Sequence, residues 1–462
     1  MKAMLRDLIV RFAKSRKANV AVIFAITIVP TIYLLGMGMD YTQARRRQSQ
    51  LDAAADAAAI AAVTPSMMAQ STTVAQTTAT NIFNTKANAI AGGLTATPIL
   101  TVTVGNVGLV RTATVTYTAN STNNFPSLLG KQVWPIQGSA TASATGAPNI
   151  NFYLLLDDSP SMAIAASDTD IAKLMKATKN KQGANGCGFA CHQSNPGPDN
   201  LGNPGGVDNY ALARSLGLTL RIDLVAQAVS NLMSTAQSMQ QQNNNTYKAA
   251  IYTFDYQVNT IFAPSGLPSS DLSTAATQAA SNIQILQVYK NNWRTSTFQD
   301  NDTNTNIEGA LTSINSLMPA PGGGTSQTGD TPQETVFLVT DGVDDMYVSS
   351  ASSCLGNVTY YSSSQIRCYQ PVDTSICTTI KNRGIRIAVL YTEYLQLPDD
   401  GWYNTFVASF NTPDPATGQI AKNLQSCASN GLFYDVKSGG DITAALNALF
   451  QKVVATAPHL TR

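Results

Sequence analysis

The chain is short of charge. Asp, Glu, Lys and Arg make up 12% of its 462 residues, about half the usual share, and Ser, Thr, Asn and Gln carry the polar surface instead. Histidine is scarcer still, with only His192 and His459. There is no Gly-x-Ser-x-Gly nucleophile elbow and no phosphate-binding glycine loop. These absences argue against an enzyme and for a binding protein. Cysteine is missing before Cys187; the six that follow are Cys187, Cys191, Cys354, Cys368, Cys377 and Cys427. An even number is compatible with disulfides formed in an oxidising compartment. What is plentiful is apolar residues, at 44%, so a packed core is available and disorder is excluded. The length allows two or three domains.

Charge is also unevenly placed. Residues 1–50 carry nine Lys and Arg against Asp7 and Asp40, a net +7, which leaves −6 for the rest of a chain whose total is +1. A basic head on a mildly acidic body speaks for membrane orientation rather than nucleic-acid binding. Lys2, Arg6, Arg11, Lys14, Arg16 and Lys17 precede an apolar run from Ala18 to about Gly38, close to the roughly 20 residues that span a bilayer. The stronger basic flank comes first, so the N-terminus is expected inside and the body exported. No small-x-small cleavage site follows the run, which favours a retained anchor over a cleaved signal peptide. From Tyr41 to Ala62 the residues are strong helix formers and would prolong the membrane helix. A helix over Thr72–Ile90 and strands at Ile99–Val104, Val110–Tyr117 and Val133–Ala144 follow.

The chemistry concentrates in Asn151-Phe-Tyr-Leu-Leu-Leu-Asp-Asp-Ser-Pro-Ser-Met162. Phe152–Leu156 reads as a strand buried on both faces, of the parallel-sheet kind. It ends in Asp157, Ser159 and Ser161, whose spacing lets three oxygens turn to one point, the donor type hard cations take. Two later stretches fit the same logic. Thr305-Asn-Ile-Glu-Gly-Ala-Leu311 is a loop running into a helix, and Val336-Phe-Leu-Val-Thr-Asp-Gly342 is a second buried strand ending in Asp341. Asp158 is read as facing solvent. The surroundings of Asp341 are read as rich in hydroxyls and poor in compensating bases.

These motifs together resemble the von Willebrand factor A domain and its metal-ion-dependent adhesion site. The resemblance implies that Asp157, Ser159, Ser161, Thr305 and Asp341 surround one divalent ion, Mg2+ or else Mn2+ or Ca2+. Pro160 stands where the family often has a small residue; it stiffens the loop and removes no ligand. At the other end, Asn19-Val-Ala-Val-Ile-Phe-Ala25, Gly38-Met-Asp-Tyr41 and Leu51-Asp-Ala-Ala-Ala-Asp-Ala-Ala-Ala-Ile60 resemble TadE/TadG-type proteins of the tight-adherence (Flp) pilus system. The members with a C-terminal A domain, the TadG-like ones, share this layout. The glycine and glutamate that prepilin peptidase requires are absent from Ala18-Asn-Val-Ala-Val-Ile-Phe24.

The expected organisation is a cytoplasmic basic segment at 1–17, a transmembrane helix at 18–38, and a TadE/TadG-like helix with a small pilin-like α+β region at 39–147. An α/β von Willebrand A domain, Rossmann-like with a mostly parallel sheet covered by helices, occupies 148–456, with insertions near 166–216 and 343–373. Strand and helix alternate through it at Arg221–Met233, Lys248–Phe254, 307–317, 336–340, 374–383, Ile385–Leu390, Leu432–Val436 and 441–455. Cys377–Cys427 is expected as a disulfide between adjacent elements, with Cys187–Cys191 and Cys354–Cys368 as local closures. The run Cys187-Gly-Phe-Ala-Cys191-His192 has one residue too many for the common haem site and lacks a fourth zinc ligand. The resemblance implies a single-pass inner-membrane component of Flp pilus assembly whose periplasmic domain binds a protein partner of that machinery or of the envelope. The alternative is a surface adhesin for a host or matrix ligand.

Overall fold

The computed structural model describes residues 16–125, 132–179, 186–197, 201–243, 245–290, 305–325, 329–362, 365–398, 401–437 and 439–454. The basic segment at 1–17 lies outside them except for its last two residues. The chain divides into two compact units between Gly146 and Ala147.

The first unit is built on one helix, α1 (Arg16–Ala62), which continues through Pro30. It is the one helix among the described residues long and apolar enough to cross a membrane. Its outer half buries Leu51, Ala54, Ala55, Ala58, Ala59 and Ala62, a helical repeat of small residues that lets a neighbour approach closely. That neighbour is α2 (Thr72–Asn88), capped by Ser71 and burying Ala75, Ala79, Phe83 and Ala87 at every fourth position. Both pack on an antiparallel sheet in the order β1 (Ile99–Val107), β2 (Val110–Thr122), β3 (Val133–Thr145). Along β2, Arg111, Ala113, Val115 and Tyr117 alternate into the core. Arg111 is tolerated there because it donates to the carbonyls of Met67 and Gln70 and to Asn106.

The second unit is α/β. Six strands run in the order β12-β11-β7-β4-β5-β6. Those at its centre are β4 (Ile150–Asp157), β5 (Tyr247–Phe254), β7 (Gln333–Thr340) and β11 (Arg386–Thr392), all parallel, with β12 (Phe433–Val436) beyond β11. Only the edge strand β6 (Val258–Phe262) is antiparallel. Side chains alternate to two cores: Phe152, Leu154 and Leu156 face one, Tyr153 and Leu155 the other. This double burial is why β4 reads as an unbroken apolar run. The first core is covered by α5 (Arg221–Asn243) and α11 (Ile442–Val454), the second by α7 (Ile307–Leu317), α8 (Thr374–Asn382) and α10 (Gln419–Cys427). The mostly parallel, helix-covered sheet is the fold that the opening motif implies.

Three features go beyond the sequence reading. The insertion after Gly342 forms its own antiparallel sheet, β8 (Val343–Val348), β10 (Gln365–Pro371) and β9 (Asn357–Ser362), in that order. Within the 166–216 insertion lie α3 (Asp168–Thr178) and α4 (Asn209–Ser215), and Asp208 caps α4. Asp208 also bonds His192 Nδ1 at 2.8 Å, whose ring lies 4.2 Å from that of Tyr210. The disulfides among the described residues are Cys354–Cys368 and Cys377–Cys427, both as expected. The expected Cys187–Cys191 closure is not one of them; the Cys187 thiol instead reaches the carbonyl of Phe189 at 3.5 Å.

Candidate metal centre

Parallel strands end at the same edge, so β4 and β7 deliver Asp157 and Asp341 to one side of the sheet. Leu156 pairs with Val339 in register, which brings Thr340 beside Asp157. The Thr340 hydroxyl donates to Asp157 Oδ2 at 2.6 Å and accepts from Gly342 N at 3.0 Å. Gly342 is required twice. Its φ is +81°, and a Cβ there would lie 2.6 Å from Leu424 Cδ1. After Asp157 the chain folds back on itself: Ser159 N donates to Asp157 Oδ1 at 3.0 Å. Pro160 opens a 3-10 turn over Pro160–Ala163, its fixed φ suited to that position. Ser159 and Ser161 hydroxyls lie 3.2 Å apart.

The direct contacts therefore join Asp157, Ser159 and Ser161, with Asp341 placed alongside by charge and by the Ser161 hydroxyl. Thr305 is buried, and its hydrogen bonds run to β8 and not to Asp157, Ser159, Ser161 or Asp341. Its backbone exchanges two hydrogen bonds with Asp345 of β8, at 2.8 and 3.2 Å, and the next residue, Asn306, donates to Asp255 O at 3.0 Å. The Asp344 carboxylate accepts from Ile307 N at 2.7 Å, and Asp345 is held by Arg367 at 2.5 and 2.7 Å. The insertion sheet is thus what fixes the Thr305 loop.

Several carboxylates around the site are raised by burial, Asp157 and Asp341 among them. Burial, and then the neighbouring Asp341, push Asp157 up to about 7, against the hydrogen bonds from Ser159 and Thr340. Burial likewise raises Asp341. Neither oxygen of Asp341 has a hydrogen bond of ordinary geometry among the described residues, although Arg221, the Ser161 hydroxyl and the Val343 amide lie close enough to favour its charge. A buried, ionisable group without donors is costly unless something positive or a proton meets it.

Arg221 partly does so, and this corrects the expectation of a site without bases. It opens α5, is itself buried, donates to Glu393 O at 3.0 Å, and interacts with both Asp341 and Asp157. A cation in the first turn of a helix opposes the helix dipole, and that anomaly is the sequence signal that could have flagged it. Asp158 is also corrected: it is 6% exposed, not solvent-facing, and burial and Asp255 hold it well above the usual carboxylate range. Asp344 is raised similarly, by burial and then by Glu308.

The donor set fits a hard divalent ion. Two buried carboxylates share one buried guanidinium, and the remaining oxygens at the site are neutral hydroxyls. Among the described residues no group of three His, Cys, Asp or Glu is placed to hold a metal, so carboxylates alone do not make a cation site here.

Residues 18–77 match the family model described as a putative Flp pilus-assembly TadE/G-like domain. No curated protein matches the chain. Among solved structures, the pilus adhesin SpaC from Lactobacillus rhamnosus GG is 12% identical over 79% of this chain and 37% of its own length, with a TM-score of 0.35. Proximal thread matrix protein 1 from the mussel byssus, with a zinc-occupied MIDAS motif, is 11% identical over 67% and 49%, with a TM-score of 0.31. A von Willebrand factor type A structure from Catenulispora acidiphila is 11% identical over 78% and 49%, with a TM-score of 0.28. The chain spans less than half the length of each of these three.

Proposed function

We propose that the chain is a membrane-anchored component of Flp-type pilus assembly. In this reading residues 18–38 span the inner membrane once, the body faces the periplasm, and the second unit binds a protein partner of the assembly machinery or envelope. The observation that carries the binding role is the fully buried Asp341 carboxylate beside Asp157, two acidic groups that share one guanidinium. Asp157, Ser159, Ser161, Thr305 and Asp341 would hold Mg2+, or Mn2+ or Ca2+. A bound divalent ion supplies a positive centre able to accept a carboxylate from the partner. The chain's own residues do the rest: Thr340 and the Ser159 amide orient Asp157, β8 sets the Thr305 loop, and Arg221 tempers the charge of the two aspartates. In this reading the site binds and does not turn over a substrate.

The test is genetic. A strain carrying only Asp341→Ala should make no surface Flp pili, while the variant stays in the membrane at wild-type abundance. Normal piliation by that strain would overturn the assembly role. Normal piliation with lost attachment to a surface would support the adhesin reading. Topology is checked by a reporter active only outside the cytoplasm, fused after Leu51 or after Arg462; both fusions should be active.

A further inference from the structure

In the first unit, α1 passes from its apolar segment into the folded core without a linker. Residues 20–35 of it are exposed almost throughout, whereas Asp40 is 1% exposed. Its carboxylate accepts from Asn124 N at 2.7 Å and Phe125 N at 3.1 Å. Two residues along the chain from Gly38, then, the end of β2 is already fastened to the helix. Tyr41, 48% exposed, meets the half-buried Trp134 near the start of β3 edge-on, with ring centroids 5.5 Å apart. Further out, Gln48 Nε2 donates to Gln137 O at 2.8 Å, and Tyr117 OH donates to Asp52 at 2.6 Å. These ties fix the height of the sheet along the helix. At 1.5 Å of rise per residue, Tyr41 stands only about 5 Å beyond Gly38. That is inside the headgroup layer, roughly 6 Å deep on each side of the hydrocarbon, if the run to Gly38 spans it.

We infer that this end of the first unit is a lipid-contact surface, with Tyr41 and Trp134 seated in the headgroups of the outer leaflet of the same bilayer that α1 crosses. The pair has the required chemistry: each ring is apolar over most of its body and carries a polar tip, the composition of interfacial aromatic belts. Arg45 and Arg46, both exposed, follow one to two turns higher. Their side chains are long enough to reach back to phosphates. Asp40, the one acidic side chain at this level, is turned inward and neutralised by backbone donors, so no carboxylate is presented to the lipid. The continuous helix argues for a bilayer over any other occupant, because it leaves no slack for the unit to stand away. The inference rests on the reading of 18–38 as a span.

The experiment uses the full chain with Trp293→Phe and Trp402→Phe, which leaves Trp134 as the sole tryptophan, in phosphatidylcholine vesicles brominated either near the headgroup or at the acyl end. Trp134 fluorescence should fall by about half with the shallow label and much less with the deep one, as for an interfacial aromatic. A reporter at the far end of the sheet, Val107→Trp with Trp134→Phe added, should be quenched by neither. Resistance to alkaline carbonate extraction is measured on the same samples. A chain that resists extraction but shows no quenching of Trp134 overturns this inference alone; a chain released by carbonate overturns the span and this inference with it.

Discussion

Two aspartates, one in each unit, are equally buried and differently served. Asp40 and Asp341 are both 1% exposed. Asp40 accepts two backbone N–H groups; Asp341 accepts no ordinary hydrogen bond among the described residues, and has Asp157 as a neighbour. The first is a structural clamp whose charge the fold satisfies by itself. The second is held in place by its strand and left short of partners. A carboxylate buried beside a second acid costs stability that a bound cation would offset, whereas one clamped by backbone amides does not.

The widest contrast between the units is covalent. Cys377–Cys427 closes a 50-residue separation in the second unit, and the first unit has no cysteine. Replacing both by Ala should cost the second unit about 4 kcal/mol, seen as a lowered denaturation midpoint confined to that unit's transition. Next is Arg221→Met, which leaves buried carboxylates uncompensated. Without metal it should lose about 3 kcal/mol, and saturating Mg2+ should return most of that, since the ion takes over the compensating charge. A loss that Mg2+ does not restore would show that Arg221 serves packing instead. Asp40→Ala should cost about 2 kcal/mol by stranding two amides, and metal should make no difference to it.

A separate contrast is the pH dependence of the metal-free protein. Asp157 stands at about 7 in the folded chain against an ordinary 3.8. The folded state therefore holds its proton more tightly than the unfolded one, and stability falls as pH rises from about 4 to about 7. Asp158 and Asp344, raised in the same direction, add to this slope. Denaturant titrations in EDTA across that interval should show it, and saturating Mg2+ should flatten it.

Much of this was legible in the chain. Buried parallel strands announce themselves as apolar runs, so β4 and β7 and the aspartates that end them could be read directly. Three of the strand-end residues were adjacent enough for their convergence to be argued from spacing. The rest depended on contacts between distant segments. Arg221 stands out in sequence only as a cation in the first turn of α5; that it faces Asp341 and Asp157 emerges from the fold. The sheet β8-β10-β9 has Ser- and Tyr-rich strands with little alternation; it is closed by Cys354–Cys368 and by Arg367 on Asp345, pairings that sequence spacing only hints at. Asp158 escapes a sequence reading for the same reason: Asp255 and Thr253, which act on its carboxyl, lie at the end of β5, nearly a hundred residues away.

The proposed cation site at Asp157 and Asp341 is tested by thermal or denaturant unfolding of the full chain with and without Mg2+ or Mn2+. Wild type should gain stability as the ion passes its dissociation constant, about 2.7 kcal/mol at a hundredfold excess. Thr305→Ala should weaken that gain, and Asp341→Ala should abolish it while the variant remains folded. No stabilisation of wild type by either ion, together with no bound metal by direct assay, would contradict the account.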